Sequence, residues 1–419
     1  MDKIVINGAK PLKGQVRISG AKNAVLPMMA ATILASDKFE IHNVPDLRDV
    51  KTMAHLLRII GARVEFNNNT ISIDTSPCNF FEAPYELVKT MRASIYVLGP
   101  LLARFLQAKV SLPGGCALGA RPVDLHLKGL EKLGAEIRLD KGYIIAKSRR
   151  LRGSQINFDF SSVGATGNLL MAAVLAEGET VMENAAREPE ISALADFLVT
   201  MGADIRGIGT GRLQIRGVKT LQPVKYTVIP DRIETGTYLL AASITGGEVE
   251  LTQVEPKFVA SLLSKLRESG VFIEVGETTI YCKAPERLKA VHITTAPYPG
   301  FPTDLQAQWM SLMCVASGSC MITDTVFVDR FTHVAELRRL GAQIELKKND
   351  AVVSGVEELY GAPVMSTDLR ASACLILAGL KAQGRTDVLR VYHIDRGYEK
   401  IEGKLKGLGA DIWREEGSA

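Results

Sequence analysis

A thiol stands five residues ahead of a guanidinium in the stretch PGGCALGARPVDLH at residues 113–126, as Cys116 and Arg121. Its glycines and prolines exclude regular structure, so the stretch must be a surface loop between the strand-like KVSL and an amphipathic helix. A thiol beside a cation has a lowered pKa and serves as proton donor or nucleophile, whereas a thiol in an apolar core is inert. On this spacing alone, a spare cysteine in an ordinary turn is the simpler reading.

Other polar residues stand at the openings of apolar runs: Lys22 and Asn23, Arg92, Ser162 with Gly164, Asp304, Asp368 and Arg370. Lysine and arginine beside an all-apolar helix are costly unless paired or solvated in a cleft, and helix N-termini suit anions. Asp304 follows the turn-like APYPGFPT and is the best candidate for a general base, with a pKa that partial burial would raise. A second group, Glu188, Glu190, Arg330 and Arg396, falls in connections that follow strands; of these, Glu190 reads as a solvated surface residue. No GxxxxGK[ST] loop, no GxGxxG after a strand, no HExxH and no metal-ligand spacing among histidines or cysteines occurs. The inventory is cations for phosphate and carboxylate groups, one loop thiol and a carboxylate base.

With 419 residues, 47% of them hydrophobic, the chain can build two or three domains with substantial cores. Fifty basic residues against 46 acidic ones give a net charge of +4, too small an excess to imply nucleic acid. The six cysteines, at 78, 116, 282, 314, 320 and 374, form no CxxC pair, which points to a reducing compartment. MDKIVINGAK lacks the layout of a signal peptide, and no uncharged run reaches the roughly 18 residues of a membrane span. A soluble cytoplasmic protein is expected.

The elements that must position these residues repeat. A helix ending in glycine and running into an alternating strand recurs as LLRIIGARVEF, LEKLGAEIRL, FLVTMGADIRG, LRESGVFIEV, LRRLGAQIEL and LKGLGADIW. Their glycines, at 61, 134, 202, 270, 341 and 409, lie 68 to 73 residues apart. Each suits the left-handed position just past a helix C-terminus. A second run recurs in step, from GAKNAVLPMMAATIL to LRASACLILAGLKA, and is apolar on nearly every face, as a buried helix must be. Each unit therefore reads as buried helix, strand, amphipathic outer helix and two strands. Six units divide naturally as three plus three, with the change of domain near residues 226–237 and the opening KIVINGA free to pair in the second domain. The domains are then 22–229, carrying the Cys116 loop, and 1–21 with 230–419, with an active site in the cleft between them.

Taken together, SGAKNA, LVKTMRAS, SLPGGCALGARPVDLH, ENAAREPEI, FPTDLQAQ, TDLRAS and IDRGYEKIE resemble the UDP-N-acetylglucosamine 1-carboxyvinyltransferases of the enolpyruvyl transferase family, over essentially the whole chain. The resemblance implies an α/β (α+β) fold, a two-domain inside-out α/β barrel of six βαβαββ repeats with buried helices and outer sheets. It also implies transfer of the enolpyruvyl group of phosphoenolpyruvate to the 3′-hydroxyl of UDP-N-acetylglucosamine with release of phosphate, the first committed step of bacterial peptidoglycan synthesis. Carried over residue by residue, Lys22 and Asn23 contact phosphoenolpyruvate, and Arg121 and Arg396 complete its cationic pocket. Arg92, Arg121, Pro122, Val123, Asp124, Leu125, Ser162, Val163, Gly164, Asp304 and Val326 bind the nucleotide sugar, and Arg330, Asp368 and Arg370 are further substrate-site positions. Cys116 is the proton donor that also forms an adduct and is alkylated by fosfomycin; Cys116, Asp304, Lys22 and Arg396 form the catalytic set. Phe160 departs from relatives that carry lysine near the nucleotide. The expected protein is a monomer that needs no metal or organic cofactor and has no nucleic-acid or membrane partner. The shikimate-pathway enolpyruvyl transferase shares fold and donor and is the nearest alternative; a catalytically silent anion-binding scaffold is the other.

Overall fold

The computed structural model describes residues 2–89, 91–112, 123–327 and 329–417. The chain forms two compact units, Gly20–Ile229 on the one hand and Met1–Ser19 with Pro230–Ala419 on the other. Each unit has its own hydrophobic core and is an inside-out α/β barrel, with helices inside and sheets outside.

The inner helices are those whose sequence is apolar on nearly every face. In Val163–Ala173, Arg232–Thr245 and Leu369–Lys381 nearly every side chain is buried, polar ones included. Outer helices such as Arg48–Ile60 and Ala260–Glu268 bury one stripe and expose the charged remainder. Leu170, with 0% of its surface exposed, shows the scale: its truncation to alanine costs about 3 kcal/mol in transfer and cavity terms.

Outer helices end alike. Gly61 has φ +108°, its N–H bonds the Arg58 carbonyl, and the Ala62 N–H bonds back to Leu57. The same double closure follows at Gly134, Gly202, Gly270, Gly341 and Gly409, all with φ between +92° and +106°. A side chain at such a position would be strained, which is why glycine marks every repeat.

Among the described residues there are six sheets of four strands each. In one, Glu82–Ala83 runs parallel to Gln107–Ser111, which pairs antiparallel with Tyr143–Lys147, itself paired with Glu136–Asp140. The short leading strand is absent from the unit read off residue periodicity, because two to five residues are too few to show alternation; it completes the βαβαββ repeat. The leading strand of the first repeat, Lys225–Thr227, comes from the far end of that unit and pairs with Lys38–His42. Lys13–Arg17 leads the fourth repeat by pairing with Glu248–Thr252. Lys3–Asn7 lies antiparallel to both Arg385–Leu389 and Asp411–Glu415, so the sixth sheet joins the two ends of the chain. Among the described residues, no helix is long and apolar enough to cross a membrane.

Candidate active site

Cys116, Arg121 and Pro122 lie outside the described residues. In the unit Gly20–Ile229, Lys22 begins the inner helix Lys22–Ala31 and is 9% exposed. Its Nζ lies 2.6 Å from Oδ2 of Asp49, 3% exposed, in the first turn of the outer helix Arg48–Ile60. A buried ammonium is tolerated because a buried carboxylate meets it. Asn23 is half-buried beside it.

Arg92, half-buried, opens the short helix Arg92–Val97. Its charge acts on His126, which burial first and Arg92 second push down to about 4. Asn168 Oδ1 accepts from the Gly99 N–H at 2.7 Å, which leaves Nδ2 to donate to His126 Nδ1 at 3.0 Å. His126 is thus neutral, with its proton on Nε2. That nitrogen faces Gly164, where an added Cβ would stand only 3.2 Å away. Ser162 caps the helix Val163–Ala173 by accepting from the Ala165 N–H. Val123 and Leu125 flank an exposed Asp124 at the start of Asp124–Lys132.

Glu190 overturns the reading that placed it on a solvated surface. It is 3% exposed, and Glu188 beside it 9%. The helix they open, Pro189–Thr200, packs against both Lys22–Ala31 and Val163–Ala173, so its first turn is drawn inside.

In the other unit, Asp304 stands between two guanidinium groups. Its Oδ1 lies 2.8 Å from Arg330 Nη1 and its Oδ2 2.8 Å from Arg370 Nη2. Both arginines are buried, and the Asp304 side chain is one-quarter exposed, at 25%. Burial would raise its pKa, but Arg370 and Arg330 together outweigh it and hold the carboxyl well below the usual range. This reverses the expected direction: the sequence places Asp304 in a half-buried setting without showing that two distant cations close on it.

Asp324 orders the neighbouring turn. Its Oδ1 accepts from Val326 and Phe327 N–H groups at 2.9 and 2.8 Å, while its Oδ2 accepts from Thr303 at 2.7 Å. Thr303 in turn accepts from Arg330 at 3.0 Å, so Val326, Arg330 and Asp304 share one frame. Asp368 caps Leu369–Lys381, its Oδ1 accepting from the Arg370 and Ala371 N–H groups. Its pKa is lowered, since those N–H bonds and the Arg330 charge outweigh burial. Arg396, half-buried, ends the turn Val391–Arg396.

The helix openings are therefore not all free dipoles awaiting an anion. Ser162, Asp231 and Asp368 occupy three of them as caps, each such bond stabilising its helix by about 1 kcal/mol.

A profile of the EPSP synthase (3-phosphoshikimate 1-carboxyvinyltransferase) family matches residues 6–405. The chain belongs to the EPSP synthase family. Among curated relatives, the UDP-N-acetylglucosamine 1-carboxyvinyltransferase of Geotalea uraniireducens is 56% identical over 414 residues, covering 99% of each chain. That of Chloroherpeton thalassium is 58% identical over 418 residues, covering 99% of this chain and 97% of its own. Among solved structures, the enolpyruvyl transferase NikO from Streptomyces tendae superposes with a TM-score of 0.89 at 27% identity, over 99% of this chain and 98% of NikO. An EPSP synthase from Acinetobacter baumannii, at 18% identity and a TM-score of 0.76 over 99% of this chain and 100% of its own, shares the fold.

Several polar residues of this EPSP synthase family chain escaped the sequence reading. Asp49 in PDLRDV looks like an ordinary acidic residue in a helix first turn. Asp231 and Asp324 precede a helix and a turn, where aspartate is a common local cap. Tyr398 and Gln308 are buried at 3% and 0% and meet each other, and Tyr398 meets Arg370, contacts that only the fold creates.

Proposed function

We propose that the chain transfers the enolpyruvyl group of phosphoenolpyruvate to the 3′-hydroxyl of UDP-N-acetylglucosamine and releases phosphate, the first committed step of peptidoglycan synthesis. The observation that carries this reading is full-length identity of 56–58% to transferases named for that acceptor. The matching EPSP synthase structure, at 18% identity, shares the fold and carries no argument for shikimate 3-phosphate.

The addition forms a bond from the acceptor oxygen to C2 of phosphoenolpyruvate while C3 gains a proton and becomes a methyl group. Elimination then breaks the C2–O bond to phosphate, the bond pair leaving with the phosphate, as C3 gives a proton back to the thiolate that the addition leaves. Cys116 supplies the first proton, and Asp304 accepts that of the hydroxyl. Asp304 is held ionised, and each of its oxygens, already accepting from one guanidinium, keeps a further lone pair for the hydroxyl proton. Its low pKa makes it a weak base, so the proton moves only as the C–O bond forms. Lys22, Arg121 and Arg396 hold the phosphate and carboxylate of the donor through the charge rearrangement. Asn23, Arg92, Pro122, Val123, Asp124, Leu125, Ser162, Val163, Gly164, Val326, Arg330, Asp368 and Arg370 shape the substrate site.

The chemistry is acid–base and electrostatic, so the protein works without metal or organic cofactor. On this reading it acts in the cytoplasm as a monomer. Phosphate release tests the reading: it should occur with phosphoenolpyruvate plus UDP-N-acetylglucosamine and persist in chelator. Turnover with shikimate 3-phosphate instead would overturn the acceptor assignment.

A further inference from the structure

Arg370 is not simply a partner of Asp304, for its other arm is held from behind. Nη2 donates to Asp304 at 2.8 Å, and Nη1 points to the Tyr398 hydroxyl at 3.5 Å. Tyr398, 3% exposed, belongs to no inner helix, yet its hydroxyl meets residues from all three inner helices of its unit. Thr237 on Arg232–Thr245 lies 2.8 Å from it, and Gln308 on Gln306–Met313 donates to it at 3.2 Å. Arg370 on Leu369–Lys381 is the third.

The direction of these bonds can be assigned. Thr237 gives its one hydroxyl proton to the Ile233 carbonyl, 2.8 Å away in the preceding turn. Its oxygen is therefore the acceptor toward Tyr398, and the Tyr398 O–H donates to it. The phenol oxygen is left with its lone pairs toward Gln308 and Arg370, the sense a guanidinium requires. Gln308 Nε2 also reaches the Asp304 backbone carbonyl at 3.1 Å. A polar relay thus runs from Ile233 through Thr237, Tyr398 and Arg370 to the Asp304 carboxylate, with Gln308 bracing the backbone of the same aspartate.

We infer that Tyr398, oriented by Thr237 and Gln308, is a positioning residue that fixes the plane of the Arg370 fork and through it the direction of the Asp304 carboxylate. This rests on the functional reading above, in which Asp304 receives the acceptor proton. Tyr398→Phe keeps the ring and removes only the oxygen. It should lower kcat about tenfold while leaving KM for phosphoenolpyruvate within about twofold, the pattern of lost transition-state alignment.

A double-mutant cycle separates positioning from general support. If Tyr398 acts through Arg370, then Tyr398→Phe should cost almost nothing further in an Arg370→Lys background. Additive losses, or an unchanged kcat in Tyr398→Phe, would overturn the inference. Should Tyr398→Phe fail to fold, the pair Thr237→Ser and Thr237→Val carries the same test. Serine keeps the acceptor and should retain turnover; valine removes it and should lose it, and equal rates for the two would refute the relay. A parent protein inactive with UDP-N-acetylglucosamine would sink the functional reading and this inference with it, an outcome distinct from an active parent matched by an equally active Tyr398→Phe.

Discussion

The two units share one repeat and one arrangement of inner helices, but they place opposite charge patterns at the helix openings. In Gly20–Ile229 a buried cation, Lys22, is met by one carboxylate, and His126 is held neutral by burial and by the Arg92 charge while it accepts from the Asn168 amide. In the other unit a carboxylate, Asp304, is enclosed by two guanidinium groups. The repeat fixes where the backbone goes, and chemistry is free to diverge at the openings and connections. Addition of a hydroxyl across a double bond needs one proton acceptor and one proton donor. In the proposed reaction the acceptor is Asp304, in one unit, and the donor is Cys116, in the sequence of the other.

The sharpest way to break this division is Asp304→Asn, which keeps shape and removes the acceptor charge. We expect kcat to fall about 1,000-fold, within the range for loss of a positioned acid–base group. The variant should also lose about 2 kcal/mol of stability, because Arg330 and Arg370 lose their carboxylate. Phosphate-release rates and urea midpoints measure both, and an active Asp304→Asn would remove the acceptor role.

On the donor side the expected loss is smaller. Cys116→Ser should slow turnover about 100-fold, since a hydroxyl is a weak acid near neutral pH, whereas Cys116→Asp should retain turnover. The thiolate is the species that attacks electrophiles, so Cys116→Asp should be active yet resistant to fosfomycin, and the parent should gain covalent mass at Cys116. An active Cys116→Ser would remove the donor role. An epoxide adduct on another cysteine would remove the assignment of the reactive thiol; burial pushes Cys78, Cys282, Cys314, Cys320 and Cys374 upward and argues against that outcome.

The smallest effect sharpens the likeness of the units instead of their difference, for each buries one neutral histidine. Burial holds His126 and His333 at about 4, against 6.5 for an exposed imidazole; Arg92 adds to the shift at His126, while Asp368 opposes it at His333. As pH falls, the unfolded chain takes up these protons first. Stability is therefore full above pH 6.5 and declines below it, by about 1.4 kcal/mol per pH unit for each histidine until about pH 4. Urea midpoints between pH 7 and 5 should show this slope, and His126→Gln should make it shallower. An unchanged slope in that variant would show that His126 is not buried neutral.

The six glycines were legible because glycine is the residue that a left-handed position selects, and the inner helices because their runs are apolar on nearly every face. The leading strands were too short to leave a pattern. Glu190 was misplaced because PEISAL reads as a surface helix start until two inner helices are seen against it. The direction of the Asp304 shift was missed for a similar reason: Arg330 and Arg370 lie far along the chain, and only the packing of one unit brings both to a single carboxylate. Residue types announced the charges, but their pairing is a property of the fold.

Addition followed by elimination makes C3 of the enolpyruvyl group a methyl before it becomes a methylene again, and this is the most direct place to test the account. With phosphoenolpyruvate and UDP-N-acetylglucosamine in deuterium oxide, the Cys116 thiol should exchange and deliver deuterium to C3 if it is the proposed donor. Product examined by mass spectrometry and NMR should carry deuterium in its vinyl group, and Cys116→Ser should slow both transfer and labelling. Product formed at the full rate with no deuterium in the vinyl group would contradict protonation at C3, and with it the division of acid and base between the two units.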